Sequence, residues 1–240
     1  HCGAVSGPML ARDNPRALIE TNVTGTANIL EFARIRKVRR IVVASSAAVF
    51  GRTPPGPVKE SAVARPSSVY AASKHAAESL AAAYALQFGL DTVCLRLSWV
   101  YGPHRKTSCV IRTMLEDLQR GRPTYLTFGR DFPRQFVYID DAASALVAAF
   151  DRPGLAQRVY TITGGEYLTL GELGGIVQRL FPKAEIKLGS GPAPEDDLQE
   201  VFDISAAERD IGYRPSVRLQ EGVRRYADWL VGERREQVPA

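Results

Sequence analysis

Apolar runs of strand length alternate along the chain with segments whose apolar residues recur at helical spacing. Two of the runs, 38–46 and 91–98, are rich in Val, Ile or Leu, as expected of strands that are buried on both faces. Between them, the Ala-rich segment 67–88 predicts a helix that a serine caps at its start and Gly89 ends. A strand, a helix and a second strand in this order predict an α/β fold with a parallel sheet.

Helix-start signals add further elements. Asn14 before Pro15 predicts a helix that runs to about residue 36. Thr169 with Glu172 has the form of a capping box. We predict the remaining helices at 107–120, 141–150, 169–180 and from 205 onward, and the remaining strands at 123–128, 135–139, 158–162 and 184–188. The whole pattern indicates a doubly wound parallel sheet with a small C-terminal α/β lobe.

Composition restricts the classes of partner. The chain has 240 residues and a net charge of +5, but its basic residues are scattered among acids, so we expect no nucleic-acid partner. It has no apolar run of about 18 residues and no signal-peptide pattern, so we expect no membrane partner. Its cysteines have no ligand spacing and its histidines are few, which favours reduced thiols, a cytoplasmic location and no metal site.

Tyr70 and Lys74 are four residues apart at the start of the helix predicted at 67–88, so they share one helix face. An ammonium group near a phenol favours the phenolate, which makes tyrosine a usable proton acceptor. Ser46 is the last residue of the predicted strand 38–46 and lies at its carboxyl end, where open parallel sheets bind ligands. Together the three groups suit removal of a proton from an alcohol while hydride leaves the same carbon.

Seven segments in order resemble the extended short-chain dehydrogenase/reductase family, in its NAD-dependent epimerase/dehydratase branch. They are "HCGA" at 1–4, "NVTGTANILEFA" at 22–33, "VVASSAAVFG" at 42–51, "YAASK" at 70–74, "LRLSWVYGP" at 95–103, "RQFVYIDDAASAL" at 134–146, and the pair "GYRP" and "EGVRRYADWL" near the end. The resemblance implies a Rossmann-like dinucleotide-binding domain in 1–150 and mainly a substrate-binding lobe in 151–240, with 123–139 bridging both.

By that resemblance, Tyr70 is the catalytic base, Lys74 lowers its pKa and binds the nicotinamide ribose, and Ser46 is the hydroxyl partner. Ser46 is preferred to its neighbour because it stands five residues before Gly51, where the family motif places the active hydroxyl. The implied cofactor is NAD, with NADP not excluded. The implied cofactor-binding residues are His1, Gly3, Ala4, Ala44, Ser45, Tyr70, Lys74 and Val100. The implied substrate-binding residues are Ser46, Ala47, Trp99 and Arg134, with Arg134 on the diphosphate.

The chain departs from the family pattern in three ways. The Gly-rich turn at the first strand is absent, so we expect a segment of about 60–70 residues before His1, since one βαβ unit takes about 30 residues. Ala47 and Ala48 stand where family dehydratases have an Asp–Glu pair, which disfavours dehydration. Trp99 stands where nucleotide-sugar epimerases usually have Asn.

The resulting hypothesis is an NAD-dependent epimerase that oxidises a sugar hydroxyl, at C4 of a nucleotide sugar, to a transient ketone and reduces it again. One alternative is an NAD(P)-dependent dehydrogenase or reductase of a carbonyl compound that is not a nucleotide sugar. The other is a non-catalytic binding protein on the same fold. The helices at 14–36 and 67–88 resemble those of a family dimer contact, so we expect a homodimer and an anionic or nucleotide-linked sugar as partners.

Overall fold

The structure is a computed structural model that describes residues 1–7, 14–107, 109–194 and 196–237. Its helices are α1 Pro15–Ile19, α2 Gly25–Ile35, α3 Val69–Phe88, α4 Val110–Gln119, α5 Ile139–Asp151, α6 Leu170–Leu180, α7 Ser205–Ile211 and α8 Leu219–Gln237. Its strands are β1 Ile41–Ser46, β2 Thr92–Leu97, β3 Trp99–Tyr101, β4 Thr124–Leu126, β5 Pro133–Tyr138, β6 Val159–Ile162, β7 Tyr167–Thr169 and β8 Ile186–Leu188. A π-helical turn, Glu20–Thr24, joins α1 to α2, and a 3-10 turn, Ala47–Phe50, follows β1.

The chain forms two compact units, each built from three separate segments. The first unit comprises His1–Ser98, Ala142–Thr163 and Asp197–Arg214. The second comprises Trp99–Asp141, Gly164–Asp196 and Pro215–Ala240. The sequence-based division has 1–150 in one domain and 151–240 mainly in the other, with 123–139 bridging both, whereas each unit here contains segments of both ranges. The reason is long-range strand pairing, because β6 follows residue 150 in sequence but pairs with β2 in the first unit.

The first unit contains a parallel sheet in the order β1-β2-β6. Its strands are the Val- and Ile-rich runs, and α2 and α3 pack on one face of the sheet. That face joins side chains of both helices to strand residues and to Leu90, which lies just before β2; the buried members are Leu30, Ala33, Ile41, Val43, Ala81, Leu90 and Cys94. Ile41 and Val43 of β1 share this face because of the two-residue repeat of a strand. The predicted α/β class with a parallel sheet is confirmed.

The first residue of the chain lies beside β1. The His1 amino group donates a hydrogen bond to the Val42 carbonyl at 2.7 Å, and the Ala44 amide donates one to the His1 carbonyl at 3.0 Å. Two such bonds around one residue are the pattern of parallel pairing. The "HCGA" segment therefore begins next to the strand that carries Ser46.

The second unit contains a sheet of order β3-β5-β7 and a pair of parallel strands, β4 and β8. Strand β5 is parallel to β3 and antiparallel to β7. Its core is aromatic and aliphatic, and the largest of its fully buried side chains are Tyr101, Ile111, Met114, Leu115, Leu170 and Tyr226. Neither β3 nor β7 was predicted, because each is only three residues long and shows no complete alternation.

Local sequence signals set the helix ends. The Asn14 side chain accepts the Ala17 amide at 3.0 Å, and the predicted capping box of Thr169 and Glu172 is present. Gly89 ends α3 in the left-handed conformation, at φ 68°. Over the described ranges, no helix is long and apolar enough to cross a bilayer.

Candidate active site

Tyr70 lies in the first turn of α3. The Ser68 hydroxyl oxygen accepts the Ala71 amide at 3.1 Å and so caps this helix. The Tyr70 side chain is buried and forms a small cluster with Leu18, against which Val5 and Ala48 pack. Its hydroxyl makes no hydrogen bond to any residue that the structure describes. The ring is therefore fixed by apolar contacts while its polar end has no protein partner in that part of the chain.

Lys74 lies one turn further along the same face of α3 and is buried. Its Nζ donates a hydrogen bond of 2.8 Å to the Ala44 carbonyl in β1. Burial lowers the pKa of the Lys74 ammonium below its ordinary value, because a low dielectric disfavours the charged form. Since an ammonium has three N–H donors, two of them have no acceptor among the described residues.

Ser46 ends β1 and is partly buried. Its Oγ accepts the Ala48 amide at 3.2 Å and caps the 3-10 turn that follows. Because a hydroxyl can accept and donate at once, the Ser46 proton stays available for another acceptor. Ala48 also packs against the Leu18–Tyr70 cluster, so the tyrosine and the serine lie around one shared residue.

A buried ion pair lies beneath these groups. The Glu78 carboxylate accepts hydrogen bonds from Arg96 Nη2 at 2.8 Å and from Ser45 Oγ at 2.5 Å. Burial raises the pKa of the adjacent Cys94 thiol to about 12, which keeps it uncharged. Sequence reasoning gave Glu78 no role beside Tyr70 and Lys74, although the three residues repeat at intervals of four. That spacing was the available signal.

Asn22 connects the first segment of the chain to α3. It is buried in the π-helical turn, and its side chain accepts the Val5 amide at 2.8 Å and donates to the Val5 carbonyl and to Ser73 Oγ, each at 3.0 Å. Ser73 Oγ in turn donates to the Tyr70 carbonyl at 2.8 Å. Asn22 therefore orders the backbone around the tyrosine.

Most predicted cofactor residues share the first unit with Tyr70 and Lys74: His1, Gly3, Ala4, Ala44 and Ser45. Gly3 is exposed, whereas Ala4 and Ala44 are half-buried. The Ser45 hydroxyl donates its proton to Glu78, so this proton is not available to a ligand. Ala47, predicted to contact substrate, is buried in an apolar cluster with Phe50.

The other predicted residues, Trp99, Val100 and Arg134, belong to the second unit. The Arg134 guanidinium stacks on the Trp99 ring at 4.3 Å from its centre and forms an ion pair with Asp196. Burial lowers the pKa of Arg134 to about 10, so the side chain is still charged at neutral pH. Its Nε is buried and has no hydrogen-bond partner among the residues described.

The "HAAE" segment at 75–78 does not form a metal site within the described residues, which contain no group of three or more potential ligands. His75 Nδ1 lies 3.9 Å from Glu78 Oε2, and that carboxylate is already paired with Arg96. Glu78 is therefore held by Arg96, whereas His75 Nδ1 has no hydrogen-bond partner among the described residues.

A parallel α/β sheet with a Tyr–Lys pair at the start of the following helix defines the short-chain dehydrogenase/reductase class. The sequence model of the NAD dependent epimerase/dehydratase family matches residues 1–163, and the chain belongs to this family.

The chain is similar to UDP-glucuronate 4-epimerase 6 of Arabidopsis thaliana, with 31% identity over 97% of this chain and 54% of that protein. It is similar to the solved UDP-glucose 4-epimerase of Thermus thermophilus in complex with NAD, with 30% identity, a TM-score of 0.83, and coverage of 95% and 76%. A dTDP-glucose 4,6-dehydratase from Streptomyces venezuelae, solved with NAD, also matches at 30% identity and a TM-score of 0.84, over 97% and 72% of the two chains. The chain spans about half the length of the curated relatives it matches.

Proposed function

We propose that the protein is an NAD-dependent nucleotide-sugar 4-epimerase, with UDP-glucuronate as the first substrate to test. The observation that carries this proposal is the pair of Tyr70 and Lys74, buried on one face of α3 beside the carboxyl half of β1. The names of the relatives support it, because UDP-glucuronate and UDP-glucose 4-epimerases are among them. Membership of the family supports NAD as the cofactor.

The donors around β1 fit a dinucleotide. Lys74 has two N–H groups without an acceptor in the described structure, and these suit the neighbouring hydroxyls of a ribose. The exposed Gly3 has only the His1 side chain within 4 Å of an added Cβ, so the backbone there is open to a ligand. When bound, NAD supplies an acceptor and later a donor of hydride.

The chain's own residues remove the substrate proton and later return it. Tyr70 takes the proton of the substrate hydroxyl while the Lys74 ammonium, held against the Ala44 carbonyl, favours the phenolate. The Ser46 hydroxyl donates a hydrogen bond to the substrate oxygen and so keeps that oxygen near Tyr70. After the transient ketone has rotated to present its opposite face to the hydride donor, Tyr70 returns the proton to the substrate oxygen. Ala47 and Ala48 offer no acid or base for eliminating water.

The substrate's diphosphate is assigned to Arg134, which is charged at neutral pH and has an unpartnered Nε in the described structure. A planar guanidinium binds phosphate oxygens in pairs, so it suits this role. The Asp196 carboxylate, which pairs with Arg134, would have to give way to the phosphate.

A second candidate is an NAD(P)-dependent dehydrogenase or reductase of a carbonyl compound without a nucleotide. The contacts of Arg134 favour it, because this side chain is held by Asp196 and by the Trp99 ring. Net formation of NADH in proportion to substrate would identify this activity, since an epimerase regenerates its NAD.

The experiment uses the protein expressed from its complete reading frame. UDP-glucuronate and NAD are incubated with it, and the nucleotide sugars are separated by chromatography. Tyr70→Phe removes the proton acceptor and should lower kcat by about 10²–10⁴-fold. The control is Tyr84→Phe, a tyrosine on the same helix whose hydroxyl binds Glu31 at 3.3 Å. Equal activity of the wild type and Tyr70→Phe would refute the assignment, and failure to bind any dinucleotide would favour a non-catalytic role.

We further propose a homodimer formed through α2 and α3. Both helices present large apolar side chains to solvent, with Phe32 55%, Ile35 62% and Leu86 85% exposed. Apolar groups on adjacent helices are typical of a subunit interface. Sedimentation of the wild type and of Phe32→Asp tests this, and a wild-type monomer at micromolar concentration contradicts it.

The unpaired state of all three cysteines supports a cytoplasmic location.

A further inference from the structure

Glu78 takes no part in the proton transfer described above, yet its carboxylate is buried and both of its oxygens accept hydrogen bonds. Its Oε1 accepts Ser45 Oγ at 2.5 Å and Arg96 Nε at 3.0 Å, and its Oε2 accepts Arg96 Nη2 at 2.8 Å. Both charged side chains are less than a tenth exposed. A buried carboxylate is tolerated only when it is paired in this way, so its position is tightly determined.

Successive turns of α3 contact successive residues of β1. Lys74 binds the Ala44 carbonyl at 2.8 Å, and Glu78 binds the Ser45 hydroxyl. Two successive turns of the helix thus hold two consecutive residues of the strand, and the next residue is Ser46. Tyr70 lies on the same helix face, about 12 Å along the axis from Glu78 at a rise of about 1.5 Å per residue.

We propose that Glu78 is a positioning residue, which sets Tyr70 relative to Ser46 by fixing α3 against the end of β1 through Ser45. This inference rests on the proposed function, in which Tyr70 and Ser46 act on one substrate oxygen. Arg96 holds the Glu78 carboxylate from β2, the strand next to β1. The helix, the strand that carries the serine and its neighbouring strand are therefore joined at a single carboxylate.

The physical reason is the sensitivity of proton transfer to geometry. A displacement of about 1 Å in a reacting group can lower turnover by about 10²-fold. Ser45 and Ser46 are consecutive, so release of the Ser45 side chain frees the strand end that carries the Ser46 hydroxyl. Because this release removes no group that contacts the substrate in the proposed function, we expect substrate binding by other residues to be unchanged.

The sharpest variant is Ser45→Ala, which removes one hydroxyl and leaves the ion pair of Glu78 with Arg96 intact. We expect kcat to fall by about 10–100-fold with KM within about twofold. The matched control is Thr161→Val in β6, because the Thr161 hydroxyl is also buried in this sheet but has no hydrogen-bond partner among the described residues. We expect this control to keep the wild-type kcat.

A double variant tests whether Glu78 acts through Ser45. Glu78→Met removes both carboxylate oxygens, so it should lower kcat, and adding Ser45→Ala to it should cause little further loss, since both changes remove the contact between Ser45 and residue 78. Additive losses in kcat, a loss confined to KM, or the same loss in Thr161→Val would overturn the proposal.

Hydrogen–deuterium exchange of the peptide that covers residues 44–50 gives a readout without turnover. We expect faster exchange there in Ser45→Ala than in the wild type or in Thr161→Val. Unchanged exchange in Ser45→Ala contradicts the positioning role. A wild type without epimerase or dehydrogenase activity contradicts the proposed function instead, so the two failures are distinguishable.

Discussion

The turn that follows Ser46 ends at Gly51, and replacing this glycine with alanine should destabilise the protein strongly. Gly51 has φ 60° and ψ −146°, a conformation that is almost confined to glycine and costs other residues about 1–3 kcal/mol. An added Cβ would lie 1.9 Å from the Arg65 carbonyl oxygen. That oxygen belongs to backbone whose amide binds the Val49 carbonyl at 3.1 Å, so it cannot move alone. Overpacking of this kind adds about 1–3 kcal/mol.

The sum is a loss of about 4 kcal/mol in the free energy of unfolding for Gly51→Ala, with a range of about 2–6 kcal/mol. For a chain of this size, about 4 kcal/mol corresponds to a fall of about 8–16 °C in Tm. The control is Gly89→Ala, where φ is 68° but nothing lies within 4 Å of an added Cβ. Only the left-handed backbone then contributes, at about 1–2 kcal/mol.

Urea unfolding followed by circular dichroism gives the free energy of unfolding of each variant, and the nucleotide-sugar assay gives kcat. We expect Gly51→Ala to lose turnover even well below its Tm, because the strained turn begins at Ser46. Equal destabilisation by Gly51→Ala and Gly89→Ala would show that the Arg65 segment moves away at little cost. The geometric reasoning would then be wrong.

Three further changes are predicted. The buried Asp141 carboxylate accepts hydrogen bonds from the Ser216 and Val217 amides, each at 3.0 Å. Asp141→Ala should therefore reduce the free energy of unfolding, measured in urea, by about 3–5 kcal/mol, and Asp141→Asn should reduce it by less. Equal losses for the two variants would contradict this. Burial lowers the pKa of Lys74, so between the lowered pKa and 10.5 the unfolded chain binds more protons than the folded chain. As pH increases through this window, the free energy of unfolding of the wild type should rise relative to that of Lys74→Met. Parallel curves of stability against pH for the two proteins would contradict this. The Ser98 hydroxyl is buried without a partner in the described structure, so Ser98→Ala should leave Tm unchanged or raise it, and a clear fall in Tm counts against this.

The elements that the sequence predicted best are those with local signals. Helix α3 has its cap, Ser68, and its stop, Gly89, within a few residues of its ends, and the observed bounds agree with the prediction. The same holds for the capping box at Thr169. Such contacts join residues three or four positions apart, so the order of residue types is enough to reveal them.

The features that sequence reasoning missed depend on distant residues. The π-helical turn contains Asn22, which is hydrogen-bonded to Val5 and Ser73, 17 and 51 positions away. The Arg134 side chain was expected to be available to a diphosphate, and its ion pair with Asp196 was not foreseen. No periodicity within either segment signals these pairs, since each arises from how the chain returns to an earlier element.

The candidate site combines both kinds of information. Helical spacing alone places Tyr70 and Lys74 on one face, which is why the pair could be found from the sequence. Spacing does not decide which strand that face will meet. Long-range contacts anchor the helix there: Lys74 binds the Ala44 carbonyl of β1, and the Glu78 carboxylate joins Ser45 of β1 to Arg96 of β2, 33 and 18 positions away along the chain. A tyrosine and a lysine at this spacing on a helix without such an anchor would share a face but have no fixed hydroxyl opposite them.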